Sequence, residues 1–237
     1  MKFFLSLVLA FAGVGLSANA ALYNNFFNSG FANGGVVPDG NPTGWSDSRT
    51  LSIGDSQITS LTLNLNISGG YNGDLYAYLS YNGVLVPLLN RVGVAGSSPS
   101  SAFGYGDTGF NITLSDSAAN DVHFYGRHSP SINGSGQLTG TWQPDGRSID
   151  PNSSPSAFDT AGRVGLSSFN GMDPSGTWTL FIADMSGGAV STLVSWELDI
   201  TAVPEPANVA MAVFGGVFLV VSVCRTKRAR QLFAGRH

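Results

Sequence analysis

Alternation with a period of two dominates the middle of this 237-residue chain. Between Ile58 and Ile67, residues Leu61, Leu63, Leu65 and Ile67 fall on one side while Thr62, Asn64 and Asn66 take the other. That is the pattern of a half-buried strand. Leu75 to Leu79 alternates in the same way, and Asn82-Gly83 separates it from Val84-Leu85-Val86, which predicts a hairpin on a tight turn. Phe110 to Leu114 and Asp121 to Tyr125 are weaker strand candidates. Gly176 to Ala183 places Trp178, Leu180 and Ile182 on one face, and Val194, Trp196, Leu198 and Ile200 are expected to form the inward face of the last strand. Helical periodicity is nearly absent. Short strands between turn-forming residues predict an all-β fold, an antiparallel sandwich or barrel. Val94 to Asp107 and Asn133 to Asp159 are rich in Gly, Ser, Pro and Asp and read as long surface loops.

Both ends of the chain break this pattern. Lys2, the apolar run Phe3 to Leu16 and the small-residue site Ala18-Asn19-Ala20 predict a secretory signal peptide over residues 1–20, removed by signal peptidase. At the other end, Val203-Pro204-Glu205-Pro206 precedes 18 uncharged, mostly apolar residues, Ala207 to Cys224, and then Arg225, Lys227, Arg228 and Arg230. As a helix those residues would span ~27 Å, close to a bilayer's hydrocarbon thickness. The basic cluster is expected to stay cytoplasmic, with residues 231–237 beyond it.

The order Pro-Glu-Pro, apolar helix, basic end resembles the PEP-CTERM sorting tail of certain Gram-negative bacteria, here over residues 203–230. The resemblance implies an integral-membrane exosortase as processing partner, acting near Pro204, Glu205 and Pro206. It also implies delivery to the cell envelope or extracellular matrix. A plain stop-transfer anchor at 207–224 is the simpler alternative.

Between the ends, residues 21–203 hold five arginines, no lysine, thirteen aspartates and one glutamate, a net of −9 against −4 for the whole chain. An acidic, lysine-free surface argues against nucleic acid as a partner and against binding to anionic membrane surfaces. It suits a hard cation such as calcium, which takes oxygen ligands, and it equally suits a soluble exported protein. The only cysteine, Cys224, lies in the tail. The body therefore has no disulfide and must rely on core burial.

Several stretches of the body, in order, carry a second resemblance. They are Val36-Val37-Pro38-Asp39-Gly40, the strand Leu61 to Ile67, Tyr71-Asn72-Gly73-Asp74-Leu75, Leu166-Ser167-Ser168-Phe169-Asn170-Gly171, Gly176-Thr177-Trp178-Thr179-Leu180-Phe181-Ile182-Ala183-Asp184 and Trp196-Glu197-Leu198. The set resembles the P/Homo B domain, the P domain that follows the catalytic domain of kexin-like and furin-like proprotein convertases. It covers residues 36–201, with 21–35 as a lead-in. The resemblance implies a jelly-roll-like antiparallel β-sandwich, and in convertases a partner domain that stabilises the protease. The chain departs from the family in Ser68-Gly69-Gly70-Tyr71, where a histidine commonly stands, and in its longer, more polar middle.

No catalytic residues are expected. The body has only His123 and His128 and no subtilase-like serine loop, so the triad chemistry of the convertases is missing. The two histidines are five apart and read as lone surface or edge residues. Asp74 is expected to cap its own turn; Asp39, Asp74, Asp116 and Asp184 are the candidate calcium ligands, although no contiguous calcium loop is present. Trp45, Trp142, Tyr71, Tyr105 and Tyr125 lie in or near loops and are candidates for stacking on sugars, while Trp178 and Trp196 belong to the core. The expected function is an exported, non-catalytic sandwich with a structural or adhesive role, contacting extracellular polysaccharide or a surface protein. The alternatives are a glycan-binding module and an accessory domain for a separately encoded subtilisin-like protease.

Overall fold

The computed structural model describes residues 19–54 and 56–204. The signal peptide through Ala18, Glu205 and Pro206 of the sorting motif, the 207–224 helix and the basic residues Arg225, Lys227, Arg228 and Arg230 lie outside the described residues. Ala20 and Pro204 are the first and last expected processing residues within them. Residues 20–203 form one compact unit.

Nine strands build that unit: β1 (Ala21–Phe27), β2 (Trp45–Leu51), β3 (Ser56–Gly69), β4 (Leu75–Tyr81), β5 (Val84–Asn90), β6 (Gly109–Leu114), β7 (Leu138–Trp142), β8 (Gly176–Asp184) and β9 (Ser191–Pro204). One six-residue helix, α1 (Pro155–Thr160), and four short 3-10 turns complete it. The strands form two sheets, β1-β9-β3-β6-β7 and β2-β8-β4-β5. Their inward residues share one core, in which Leu63, Ile67, Phe110, Trp196 and Ile200 of the first sheet meet Leu75, Leu79, Trp178 and Ile182 of the second. The first sheet is mixed rather than antiparallel, because β7 runs parallel to β6 in the register Phe110↔Leu138 to Leu114↔Trp142. Among the described residues no helix is long and apolar enough to cross a membrane.

The expected strands at β3, β4, β6 and β8 form, with Leu61, Leu63, Leu65 and Ile67 and then Trp178, Leu180 and Ile182 buried. Asn82 and Gly83 both adopt positive φ, 47° and 79°, which closes the β4–β5 hairpin with Tyr81 opposite Val84 in the manner of a type I′ turn. Other expectations are corrected. Val194 points outward at 42% exposure and Leu193 is buried instead; Val194 and Ser195 both fall outside the core, so the inward phase of β9 slips by one residue before Trp196. Asp121 to Tyr125 is not a strand. Residues Val122–Arg127 form a 3-10 turn, begun by the Asp121 carboxylate accepting the Phe124 N–H. The supposed surface loop 133–159 contains β7 and most of α1, and it delivers Asp145, Arg147 and Phe158 to the interior. The lead-in is structural too: β1 pairs with β9 from Ala21↔Ala202 to Phe27↔Trp196.

Candidate functional site

Three of the aspartates singled out in the sequence meet at one end of the β4–β8 pair. Leu75 lies opposite Asp184, so Asp74, one residue earlier on a 3-10 turn (Asn72–Asp74), stands beside the end of β8. The Asp74 carbonyl accepts the Met185 N–H at 2.7 Å, tying the turn to the segment after β8. Asp39 reaches the same segment, with its two carboxylate oxygens 3.0 and 3.2 Å from the Gly188 nitrogen. Asp184 is fully buried; its Oδ1 accepts the Ser186 N–H at 3.1 Å, whereas its Oδ2 is buried without a partner.

Asp74 does not cap its turn. Its side chain is 6% exposed and takes no hydrogen bond from any described residue. Burial first, then the Asp184 charge and more weakly that of Asp39, raise its carboxyl to about 6, with Arg91 opposing. Burial also raises Asp184, with Asp39 adding to the rise and the backbone N–H groups of Ser186 and Gly40 opposing it. The guanidinium of Arg91, the basic group that opposes this rise, donates to the Gly73 and Ala102 carbonyls, both at 3.4 Å. Asp116 lies elsewhere: Oδ1 accepts the Leu166 N–H at 2.9 Å and Oδ2 the Ser167 N–H at 2.7 Å. Among the described residues no group of three His, Cys, Asp or Glu side chains stands ready to hold a metal ion.

A cleft of about 360 Å³ opens beside Asp74, lined by Tyr71, Phe103, Tyr105, Ser186 and Gly187. Phe103 is 76% exposed and Tyr71 43%. The loop that presents Phe103 is held closely. Gly73 N–H donates to the Tyr105 carbonyl at 2.8 Å, Tyr105 N–H to the Val92 carbonyl at 3.0 Å, and Ser101 Oγ accepts the N–H groups of Phe103 and Gly104. Gly73 and Gly104 allow that approach: a Cβ on either would lie 2.7 Å from the other's Cα. An apolar ring thus projects into solvent from a fixed backbone, next to the Asp74 carboxylate.

Of the other expected contact aromatics, Tyr105 is half-buried at the edge of the cleft and the rest are not available. Trp45 is 9% exposed and donates its indole N–H to the Val36 carbonyl; Trp142, equally covered, donates to the Thr139 carbonyl. Tyr125 is buried, with its hydroxyl donating to Asp107 and accepting from Asn72, and Tyr105 packs against its ring at 4.4 Å. Trp45 opens β2, Trp142 ends β7 and Tyr125 stands on the 3-10 turn, which corrects the expected loop positions of all three.

His123 is likewise not a surface residue. It is fully buried, with Nδ1 2.6 Å from Asp145 Oδ2 and Nε2 2.8 Å from the Val94 carbonyl. Both ring nitrogens are thus engaged by oxygen atoms of the interior. Asp145 also takes the Asn90 N–H and the Arg147 side chain. Burial pushes the Asp145 carboxyl up, but His123 and Arg147 outweigh it and hold it below the ordinary value. With both ring nitrogens engaged, His123 is a structural tie between the 90–95 and 145–149 segments rather than a base facing solvent. Nothing in the spacing of His123 and Asp145 announces the pair.

No protein-family model matches the chain, and no curated protein matches it. Among solved structures, the Aeromonas sobria serine protease in complex with the chaperone shares 14% identity and a TM-score of 0.39, over 79% of this chain and 28% of the other. A crystal structure of the serine protease of Aeromonas sobria gives 13% and 0.39, over 77% and 27%. The chain thus spans under a third of the length of those structures, and a likeness this distant carries no weight beyond the geometry above.

Proposed function

We propose that this chain is an exported, non-catalytic contact module whose working surface is the Tyr71–Phe103 cleft beside Asp74. The observation that carries the reading is Phe103: a ring left largely in water on a loop that is hydrogen-bonded in place. Ordered apolar exposure next to polar groups is what contact surfaces present. The strand orders β1-β9-β3-β6 and β2-β8-β4-β5 are those of a jelly roll with β7 added at one edge, and they support the P-domain-like reading of residues 36–201. The signal peptide, the exosortase-type tail and delivery to the envelope or matrix of a Gram-negative bacterium enter here from the sequence. They place the module outside the cell, where a structural or adhesive role applies.

A second reading has an observation of its own. The three aspartates brought together, Asp39, Asp74 and Asp184, come from three separate motifs of the convertase-like pattern. This favours a domain built to the same plan, acting as accessory to a separately encoded subtilisin-like protease. Affinity purification from the producing organism separates the two. A subtilase recovered with the tagged chain supports the accessory reading. Retention of residues 20–203, which form one compact unit with its own core, on the organism's polysaccharide or protein matrix fraction supports the contact module. Retention on neither fraction sinks it.

A further inference from the structure

We propose that the Tyr71–Phe103 cleft is a socket for an arginine side chain presented by a protein partner, with the Asp74 carboxylate accepting its guanidinium. The inference rests on the reading of this cleft as the working surface and names the chemistry of what enters it. Asp74 lines the cleft, is 6% exposed and takes no hydrogen bond from any described residue. Its acidic neighbours are supplied from the backbone. Asp184 is held by the N–H groups of Ser186 and Gly40, and Asp39 accepts that of Gly188. Of the three, Asp74 is the one that borders the cleft without a donor.

A carboxylate taken out of water is costly without donors, and a charged donor relieves that cost better than a neutral one. Among the described residues nothing fills that place. Arg91, which favours the ionised form of Asp74, donates to the Gly73 and Ala102 carbonyls, and residues 21–203 contain no lysine. The donor therefore comes from outside, and the walls of the cleft select its kind. Phe103 and Tyr71 are exposed and Tyr105 is half-buried, so three rings border the cleft with one carboxylate. A guanidinium suits both features, because its planar fork matches a carboxylate and its face stacks on aromatic rings. A neutral sugar could stack on the rings but would leave the charges of Asp74, Asp39 and Asp184 without a counter-charge. An anionic ligand would be repelled by them. The net charge of −9 over residues 21–203 draws a basic partner toward the molecule before contact. The hydrogen bonds that fix the Phe103 backbone shape the socket in advance, which lowers the ordering cost of binding.

The test is titration of isotope-labelled residues 20–203 with a blocked Gly-Arg-Gly tripeptide, followed by amide chemical shifts at pH 7.5. Saturable shifts are expected over 71–75, 103–106 and 184–188, with Kd on the order of 10⁻³ M for one charged, stacked contact. A blocked Gly-Gln-Gly tripeptide should leave those amides unmoved. Asp74→Asn should raise Kd about tenfold, Tyr71→Ser/Phe103→Ser should raise it too, and Asp116→Asn should not. The two ring substitutions lie at exposed positions and decide the matter should Asp74→Asn not fold. The titratable groups around the socket are Asp74, Asp184, Asp39, Arg91 and the hydroxyls of Tyr71 and Tyr105. With the Asp74 carboxyl at about 6, Kd should rise roughly tenfold from pH 7.5 to pH 5 as that group takes up its proton. Equal shifts from the glutamine tripeptide, or an unchanged Kd in Asp74→Asn, would overturn the proposal. Matrix retention through the cleft with no tripeptide binding would overturn it as well and leave the contact reading standing. Tripeptide binding without retention on either matrix fraction would keep the socket and sink the contact reading.

Discussion

Asp74 and Asp145 are both buried carboxylates, and their surroundings drive them in opposite directions. Asp74 has a folded value of about 6 against an ordinary 3.8. Between those values the folded chain holds a proton that the unfolded chain has lost, so stability rises as pH falls through 6 and is reduced above it. In chelator, the urea midpoint of residues 20–203 should be higher at pH 5 than at pH 7.5, and Asp74→Asn should lessen that difference. A midpoint that climbs from pH 5 to 7.5 would contradict this. Asp145 is held low by His123 and Arg147; its contribution is present above the ordinary carboxylate value and is lost as pH falls through the lowered one. Asp145→Asn takes the shared carboxylate from buried His123 and Arg147, of which Arg147 keeps only the Asp121 carboxylate at 3.4 Å, and should cost about 3–5 kcal/mol, read as a drop in the urea midpoint at pH 7.

Turns and strands give a sharper contrast between two glycines. Gly83 has φ 79° with open space around its Cβ position, while Gly104 has φ 76° and faces the Gly73 backbone. Gly83→Ala should therefore cost about 1 kcal/mol, the strain of a left-handed residue. Gly104→Ala meets the same strain plus a backbone clash, should cost distinctly more in the same urea titration, and should loosen the Phe103 loop. The hairpin was legible because Asn-Gly between two alternating runs has one good backbone solution. β2 was not, although its burial keeps the period of two from Trp45 through Asp47 to Leu51. Its inward residue Asp47 is polar and becomes acceptable inside only because it takes the Trp196 indole N–H at 2.7 Å and Arg49 Nε at 2.8 Å. That partner is 149 residues away, and alternation within a segment cannot reveal it. β7 has buried residues only at its two ends, Leu138 and Trp142, too few to declare a period. The three aspartates were legible as candidates, because motif and composition mark acidic turns. The proximity of Asp39, Asp74 and Asp184 and the separation of Asp116 depend on strand order, which is a property of the whole sheet.

At the scale of the molecule, β1 closes one edge of the first sheet and covers the partner strand of the core. Phe27 packs on Trp196 with centroids 4.7 Å apart. Removing residues 21–27 uncovers the pairing edge of β9 and that tryptophan, and unpaired edges invite association. The shortened chain is expected to lose stability and to elute as oligomers on size exclusion; a monomer with an unchanged urea midpoint would contradict this. Leu22 and Phe26 of β1 are also exposed, at 61% and 56%, which makes this edge the natural rival of the cleft as a contact surface. The decisive measurement is retention of residues 20–203 on the producing organism's insoluble matrix. It compares wild type with Tyr71→Ser/Phe103→Ser and with Leu22→Ser/Phe26→Ser. The account predicts that the cleft variant is released and the edge variant is held like wild type. A cleft variant held as firmly as wild type, with the edge variant released, would contradict it.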